Sequence, residues 1–126
     1  MHPFRTAIEA RDVDAVVGLL SDDVLLRSPV AFKPYRGRAA VAAILSAVSR
    51  VFEDFAYTRE IDSPGAPDHA LVFQARVGDK HIQGCDFLHV DESGSIDELV
   101  VMVRPPSAAL ALADAMKARL AAVQAG

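Results

Sequence analysis

The stretch HALVFQARVGDKHIQGCDFLHV, residues 69–90, decides how this chain folds. Two runs of alternating apolar and polar residues flank Gly78-Asp79, a pair suited to a two-residue hairpin turn. Folding the stretch about that pair sets Val77 opposite Lys80 and Leu71 opposite Asp86. One face of the predicted hairpin then carries Leu71, Phe73, Ala75 and Val77 with Ile82, Gly84, Asp86, Leu88 and Val90. The other carries Val72, Gln74 and Arg76 with His81, Gln83, Cys85, Phe87 and His89. The first face is apolar enough to meet a core, and Asp86 is its one acidic member. A slip of one residue would instead bring Gln74 and Arg76 beside Asp86, because side chains alternate between faces with a period of two.

Working outward, Asp91-Glu92-Ser93-Gly94 reads as a turn and Ile96 to Arg104 as a last strand, stopped by Pro105-Pro106. Ser107 is the expected cap of an Ala-rich helix whose stripe is Leu112, Met116, Leu120 and Val123. Upstream, Phe55, Tyr57, Arg59 and Ile61 alternate with Ala56, Thr58 and Glu60, which predicts a strand ahead of the turn-rich segment 62–68. Before that, Gly37 opens a helix with the stripe Val41, Ile44, Leu45, Val48 and Phe52. Ser21-Asp22-Asp23 breaks the preceding pattern. Val24 to Arg27 is then a short strand closed by Ser28-Pro29, with a loop over 30–36. The chain begins with two short helices, the second capped by Asp12 and carrying Val13, Val16, Val17 and Leu20 at helical spacing. Helices followed by a run of antiparallel strands give an α+β fold with helices packed on one face of a sheet. A single domain covers 1–126, with 105–126 as a C-terminal helical extension.

Composition narrows the function classes. The 126 residues carry 13 Lys+Arg against 17 Asp+Glu, a net charge of −4, which argues against a nucleic-acid partner. One cysteine, Cys85, excludes an internal disulfide. The start MHPFR lacks the apolar core of a signal peptide, and no uncharged run approaches the roughly 18 residues of a membrane span. A cytoplasmic domain with no membrane partner is the expectation. There is no phosphate-cradling glycine loop and no dinucleotide fingerprint, so no cofactor is expected. His81, Cys85 and His89 lie on one strand, where four residues span about 13 Å, too far for one metal ion. They are expected, with Phe87, on an outer face that contacts a second copy of the chain.

Several local patterns, ARDVDA at 10–15, LSDDV at 20–24, Ser28-Pro29-Val30 and RGRAAV at 36–41, resemble the nuclear transport factor 2-like superfamily over residues 4–104. The branch includes SnoaL-like cyclases, ketosteroid isomerases and limonene epoxide hydrolases. The resemblance implies a cone: a curved, mixed and largely antiparallel sheet wrapped around the N-terminal helices, with an apolar pocket at the open end. It also implies frequent dimerisation through the outer sheet face. The ketosteroid isomerase pattern implies a general-base aspartate where this chain has Ser28, and an oxyanion-binding tyrosine where it has Phe4. Its hydrogen-bond-donating aspartate falls at Asp86. The epoxide hydrolase pattern needs an Arg-X-Asp on a strand, which is missing here.

Asp86 is therefore the candidate catalytic residue. In an apolar pocket its ionised form is disfavoured, so it can act as an acid or donate a hydrogen bond to a ligand carbonyl. The alternatives are a pair with Arg104, a bond to a backbone amide, or a place at a watery rim. Ser28 and Tyr57 are candidate polar ligand contacts, each with a structural alternative: Ser28 ends a strand, and Tyr57 packs. Phe4, Leu26, Phe32, Phe73, Leu88 and Met102 are the expected pocket walls. The function that follows is binding of an apolar small molecule, with isomerase-, cyclase- or hydrolase-like acid–base chemistry at Asp86. The alternative is a non-catalytic dimeric interaction or ligand-carrier domain with a packed cavity, and a cavity above about 300 Å³ favours ligand binding. The final helix is expected to pack on its own domain or on a partner subunit, with a membrane surface as a third option.

Overall fold

A computed structural model describes residues 1–125, with side chains described through Ala121. Two short helices, α1 (Pro3–Glu9) and α2 (Val13–Gly18), lead into strand β1 (Leu20–Arg27) and the two-residue β2 (Tyr35–Arg36). Helix α3 (Arg38–Val51) follows, then β3 (Glu53–Ile61), β4 (Asp68–Val77), β5 (Lys80–Val90), β6 (Ile96–Arg104) and α4 (Pro106–Ala125). The six strands form one sheet in the order β2-β1-β6-β5-β4-β3. Only β1 and β6 run parallel, so the sheet is mixed, and the fold is the expected α+β cone.

Local chemistry sets the ends. His2 Nδ1 accepts from the Phe4 amide and Pro3 occupies the first turn of α1, where its missing N–H costs nothing. Asp12 caps α2 by accepting from the Ala15 amide. Gly78, at φ 60°, makes the tight turn between β4 and β5, and the register has Val77 opposite Lys80 and Leu71 opposite Asp86, as the hairpin reading requires. At the start of α4 the expected cap at Ser107 is corrected. Pro106 begins the helix, and the Pro105 carbonyl accepts from the Ala108 and Ala109 amides.

Three strands depart from their reading. β2 lies within the segment read as a loop, where Tyr35 and Arg36 pair with Leu26 and Leu25 of β1. β1 begins at Leu20, four residues early, because its pairing with β6 shifts between Leu20 and Leu25 and absorbs Ser21-Asp22-Asp23. β3 changes phase partway. Tyr57 faces Phe73 and Arg59 faces the very next β4 residue, Val72, so β3 carries an extra residue there. Beyond this bulge Glu60, not Arg59, turns inward, and Ile61 is exposed. Glu60 accepts from the His2 amide at 2.9 Å and pairs with Arg5 at 3.3 Å, tying the end of β3 to α1.

The core lies between helices and the inner sheet face. One part joins Phe4, Val16 and Val41 of the helices to Leu71, Leu88 and Leu99 of the sheet. A second part lies under α4, where Ala108, Leu112 and Met116 meet Ala47, Val77 and Ile82. The last helix therefore packs on its own domain. Each fully buried aliphatic side chain here contributes about 1.5–3 kcal/mol. The expected stripe member Val123 lies outside the residues whose side chains are described. Among the described residues, no helix is long and apolar enough to cross a membrane.

Candidate functional site

Asp86 and Tyr57 project from the inner sheet face into the enclosed space between sheet and helices. Asp86 lies on β5 opposite Leu71 of β4 and Val101 of β6. Tyr57 lies on β3 opposite Phe73. The phenol Oη donates to Asp86 Oδ2 at 2.8 Å, and both side chains are buried, Asp86 at 8% exposure. Burial among apolar neighbours pushes the Asp86 carboxyl up to about 7, against which the Tyr57 hydrogen bond pulls it down. Burial and then the Asp86 charge push the Tyr57 phenol above its ordinary range. Near neutral pH the carboxyl thus exists in both forms, the condition under which an acid–base group works best.

The space in front of the pair is a cavity of about 320 Å³. Its walls come from α1 (Phe4, Ile8), α3 (Ile44, Leu45, Val48) and the sheet (Leu26, Phe55, Phe73). Phe73 stacks on Phe55 with ring centres 5.0 Å apart, and Tyr57 stands edge-on to Phe55 at 4.9 Å. Leu112, Met116 and Leu120 of α4 close one side. Glu9, Arg11 and Ser49, all exposed, lie at the mouth. Behind Tyr57, the Arg5 guanidinium sits 5.8 Å from the ring centre, held by Glu9 at 2.6 Å and by Glu60.

The candidate residues fall into three groups. Asp86, Tyr57, Phe4, Leu26, Phe73 and Ser28 all border the cavity. Ser28 also accepts from the Val30 and Ala31 amides, at 3.2 and 3.1 Å, and so shapes the loop after β1. Leu88 is buried in the core away from the cavity. Phe32 and Met102 are corrected. Phe32 is fully exposed, 100%, on the loop shaped by Ser28, and Met102 is 58% exposed. Met102 pairs with Cys85, a residue of the outer face, so strand parity turns it away from the cavity. The suggested Asp86–Arg104 pair is corrected as well: Arg104 lies on the outer side and donates to Gln83.

Sequence reasoning missed the contribution of α4 and the joining of Tyr57 to Asp86. The stripe at 112, 116 and 120 was a visible signal for the first. Nothing in the strand patterns announced the second, which depends on strand order. Among the described residues, no three His, Cys, Asp or Glu side chains converge as metal ligands would.

The family model of the SnoaL-like domain matches residues 2–99. The chain is 41% identical to a steroid delta-isomerase from Pseudomonas aeruginosa, whose crystal structure superposes with a TM-score of 0.92 over 98% of this chain and 90% of that one. A protein with a cystatin-like fold from Silicibacter pomeroyi is 35% identical, with a TM-score of 0.87 over 93% of this chain and 82% of that one. A nuclear transport factor 2-like protein from Cytophaga hutchinsonii, at 16% identity and a TM-score of 0.66 over 83% and 87%, shares the fold. No curated protein sequence matches the chain. With its model covering 98 residues from His2 to Leu99, a cone-shaped mixed sheet and an acid on the inner face, the chain belongs to the SnoaL-like domain family.

Proposed function

We propose that this protein binds a neutral, largely apolar small molecule and anchors its carbonyl oxygen on the Tyr57–Asp86 pair, in an isomerase-type site. One observation carries the reading: deep in a cavity lined mainly by aromatic and aliphatic side chains, the polar pair is Tyr57 and Asp86, 2.8 Å apart. The charged residues of the lining, Glu9 and Arg11, stand at the exposed mouth, so a neutral ligand body suits the interior. When Asp86 holds a proton on Oδ1, that O–H donates to the ligand oxygen while Oδ2 keeps the Tyr57 hydrogen bond, which fixes the carboxyl in place. The hydrogen bond to that oxygen favours the enolate over the ketone and so acidifies the neighbouring C–H, whose proton passes to solvent water. The 41% identity to the Pseudomonas protein supports an isomerase-type reading.

A carrier that performs no chemistry is the second reading, and Ser28 favours it. Where the isomerase pattern implies a carboxylate base, this chain has a hydroxyl whose oxygen already accepts from two loop amides. A serine without a base does not take a proton from carbon near neutral pH. Incubation with 1-tetralone in deuterated water separates the two. Isomerase-type chemistry deuterates the carbon beside the carbonyl, at least about 100-fold faster with wild type than with Asp86→Asn. A carrier gives a thermal shift with 1-tetralone, lost in Asp86→Ala, and no deuteration. Neither binding nor exchange rejects both readings.

The same reading seats a second copy of the chain on the outer sheet face. Phe87 is 42% exposed opposite Val100, and Met102 is 58% exposed opposite Cys85. These pairs lie side by side on β5 and β6, in the middle of the sheet.

A further inference from the structure

The residue that makes room beside Tyr57 and Asp86 is one with no side chain. Gly84 lies on β5, on the same face as Asp86 and two residues before it, directly opposite Phe73 of β4. A Cβ built on Gly84 would come within 2.3 Å of Phe73 Cζ, 2.6 Å of Phe73 Cε2 and 2.9 Å of the Met102 carbonyl oxygen. No real Cβ sits that close to ring carbons, so the Phe73 ring occupies the volume that any other residue at 84 would claim. In this position the ring lies against the β5 backbone, stacked on Phe55 and 5.5 Å from Phe52. The backbone is on one side of the ring and two aromatic rings flank it. A Cβ at position 84 leaves it the cavity to move into.

We propose that Gly84 is the specificity-determining residue of this site: it lets the Phe73 ring lie against β5 and so sets the depth of the cavity beside the Tyr57–Asp86 pair. The proposal rests on the cavity being a ligand site, and it adds which position fixes the size of the ligand. The mechanism is steric. A side chain at 84 converts cavity volume into ring volume, whereas a shorter residue at 73 deepens the cavity.

Crystals of wild type, Gly84→Ala and Phe73→Leu under xenon pressure test this without assuming any ligand, because xenon enters apolar cavities of this kind. In Gly84→Ala the Phe73 ring is expected to stand into the cavity and xenon occupancy to fall. In Phe73→Leu a new xenon position is expected over Gly84. In parallel, dissociation constants for cyclohexanone, 1-tetralone and anthrone are expected to shift toward the smaller ketones by about tenfold or more in Gly84→Ala, and toward the larger in Phe73→Leu. A Phe73 ring unmoved in Gly84→Ala overturns the proposal, as does Phe73→Leu with unchanged xenon positions. Should Gly84→Ala fail to fold, the Phe73→Leu crystals decide alone. If wild type binds xenon as expected but none of the ketones, the functional reading has failed, while the xenon positions still decide the role of Gly84.

Discussion

Tyr57 and Asp86 are hydrogen-bonded although their strands are not neighbours. β4 lies between β3 and β5, and the Tyr57 hydroxyl crosses above it to reach Asp86 Oδ2 at 2.8 Å. The crossing is diagonal: Tyr57 pairs with Phe73, Asp86 pairs with Leu71, and those two β4 residues are successive members of the inner face. A long aromatic side chain on a concave sheet spans the gap that a shorter residue would leave open. The bond therefore depends on the curvature and on the register of both hairpins.

The buried acid makes stability depend on pH in a fixed direction. Asp86 titrates at about 7 when folded, against 3.8 for an ordinary aspartate. Between those values the folded chain holds a proton that the unfolded chain has released. Stability from this group is therefore full below about pH 4 and is lost as pH rises through about 7. The displacement corresponds to about 4 kcal/mol. Urea titrations at pH 4 and pH 8 should show Asp86→Asn gaining on wild type by roughly that amount at the higher pH. A constant difference across the range would count against a buried, protonated carboxyl.

Tyr57→Phe removes the donor and leaves the carboxylate without its partner. Because the Tyr57 bond holds the Asp86 pKa down, its loss should raise that pKa further above 7. The expected stability cost at neutral pH is about 1–3 kcal/mol, the range for stranding one buried polar group. A carboxyl-carbon NMR titration of Asp86 in the variant reads the shift. Movement to lower pH would contradict the arrangement.

Two leucines on α4 test how that helix sits. Leu112 is buried on the cavity side and Leu110 is exposed. Leu112→Ala is expected to cost about 2–3 kcal/mol, and Leu110→Ala less than about 0.5 kcal/mol. Chemical denaturation of the two variants suffices, and equal effects would mean that the helix is rotated or detached.

The outer face yields a prediction about assembly. Wild type should sediment at twice the chain mass, and Phe87→Glu combined with Met102→Glu should sediment at the chain mass with an unchanged circular dichroism spectrum. Charges placed at the centre of a self-contact repel across it and strand themselves away from water. A monomeric wild type would remove the outer face from consideration.

Ser28→Ala separates the two roles of that residue. Its oxygen accepts from two loop amides, so its loss should cost about 1 kcal/mol of stability. Affinity for 1-tetralone is expected to stay within about twofold, since the anchor is elsewhere. A larger loss of affinity than of stability would place the hydroxyl on the ligand.

Much of this was legible in the sequence because periodicity reports faces. The Gly78-Asp79 turn fixed the β4–β5 register, and that register turned Asp86 inward among Leu71, Leu88 and their neighbours. What periodicity does not report is an added residue. The β3 alternation implied Arg59 inward, and the bulge after Tyr57 put Glu60 there instead. Parity alone does not choose a face without the partner strand: Met102 has a pocket residue's hydrophobicity, and its pairing with outer-face Cys85 turns it outward. Phe32 followed hydrophobicity alone, in a loop whose course is set by Ser28. The meeting of Tyr57 with Asp86 needed the order of strands, which local patterns do not contain.

The bulge in β3 also divides labour within a single strand. Ahead of it the strand supplies the aromatic wall and the phenol; past it, the same strand supplies the carboxylate that fastens the first helix through Arg5 and the His2 amide. A regular ladder through the same residues, with no bulge, would turn Glu60 outward and unfasten that helix, Phe4 with it, while every side chain kept its identity. At this point of the chain, spacing is a stricter requirement than residue type.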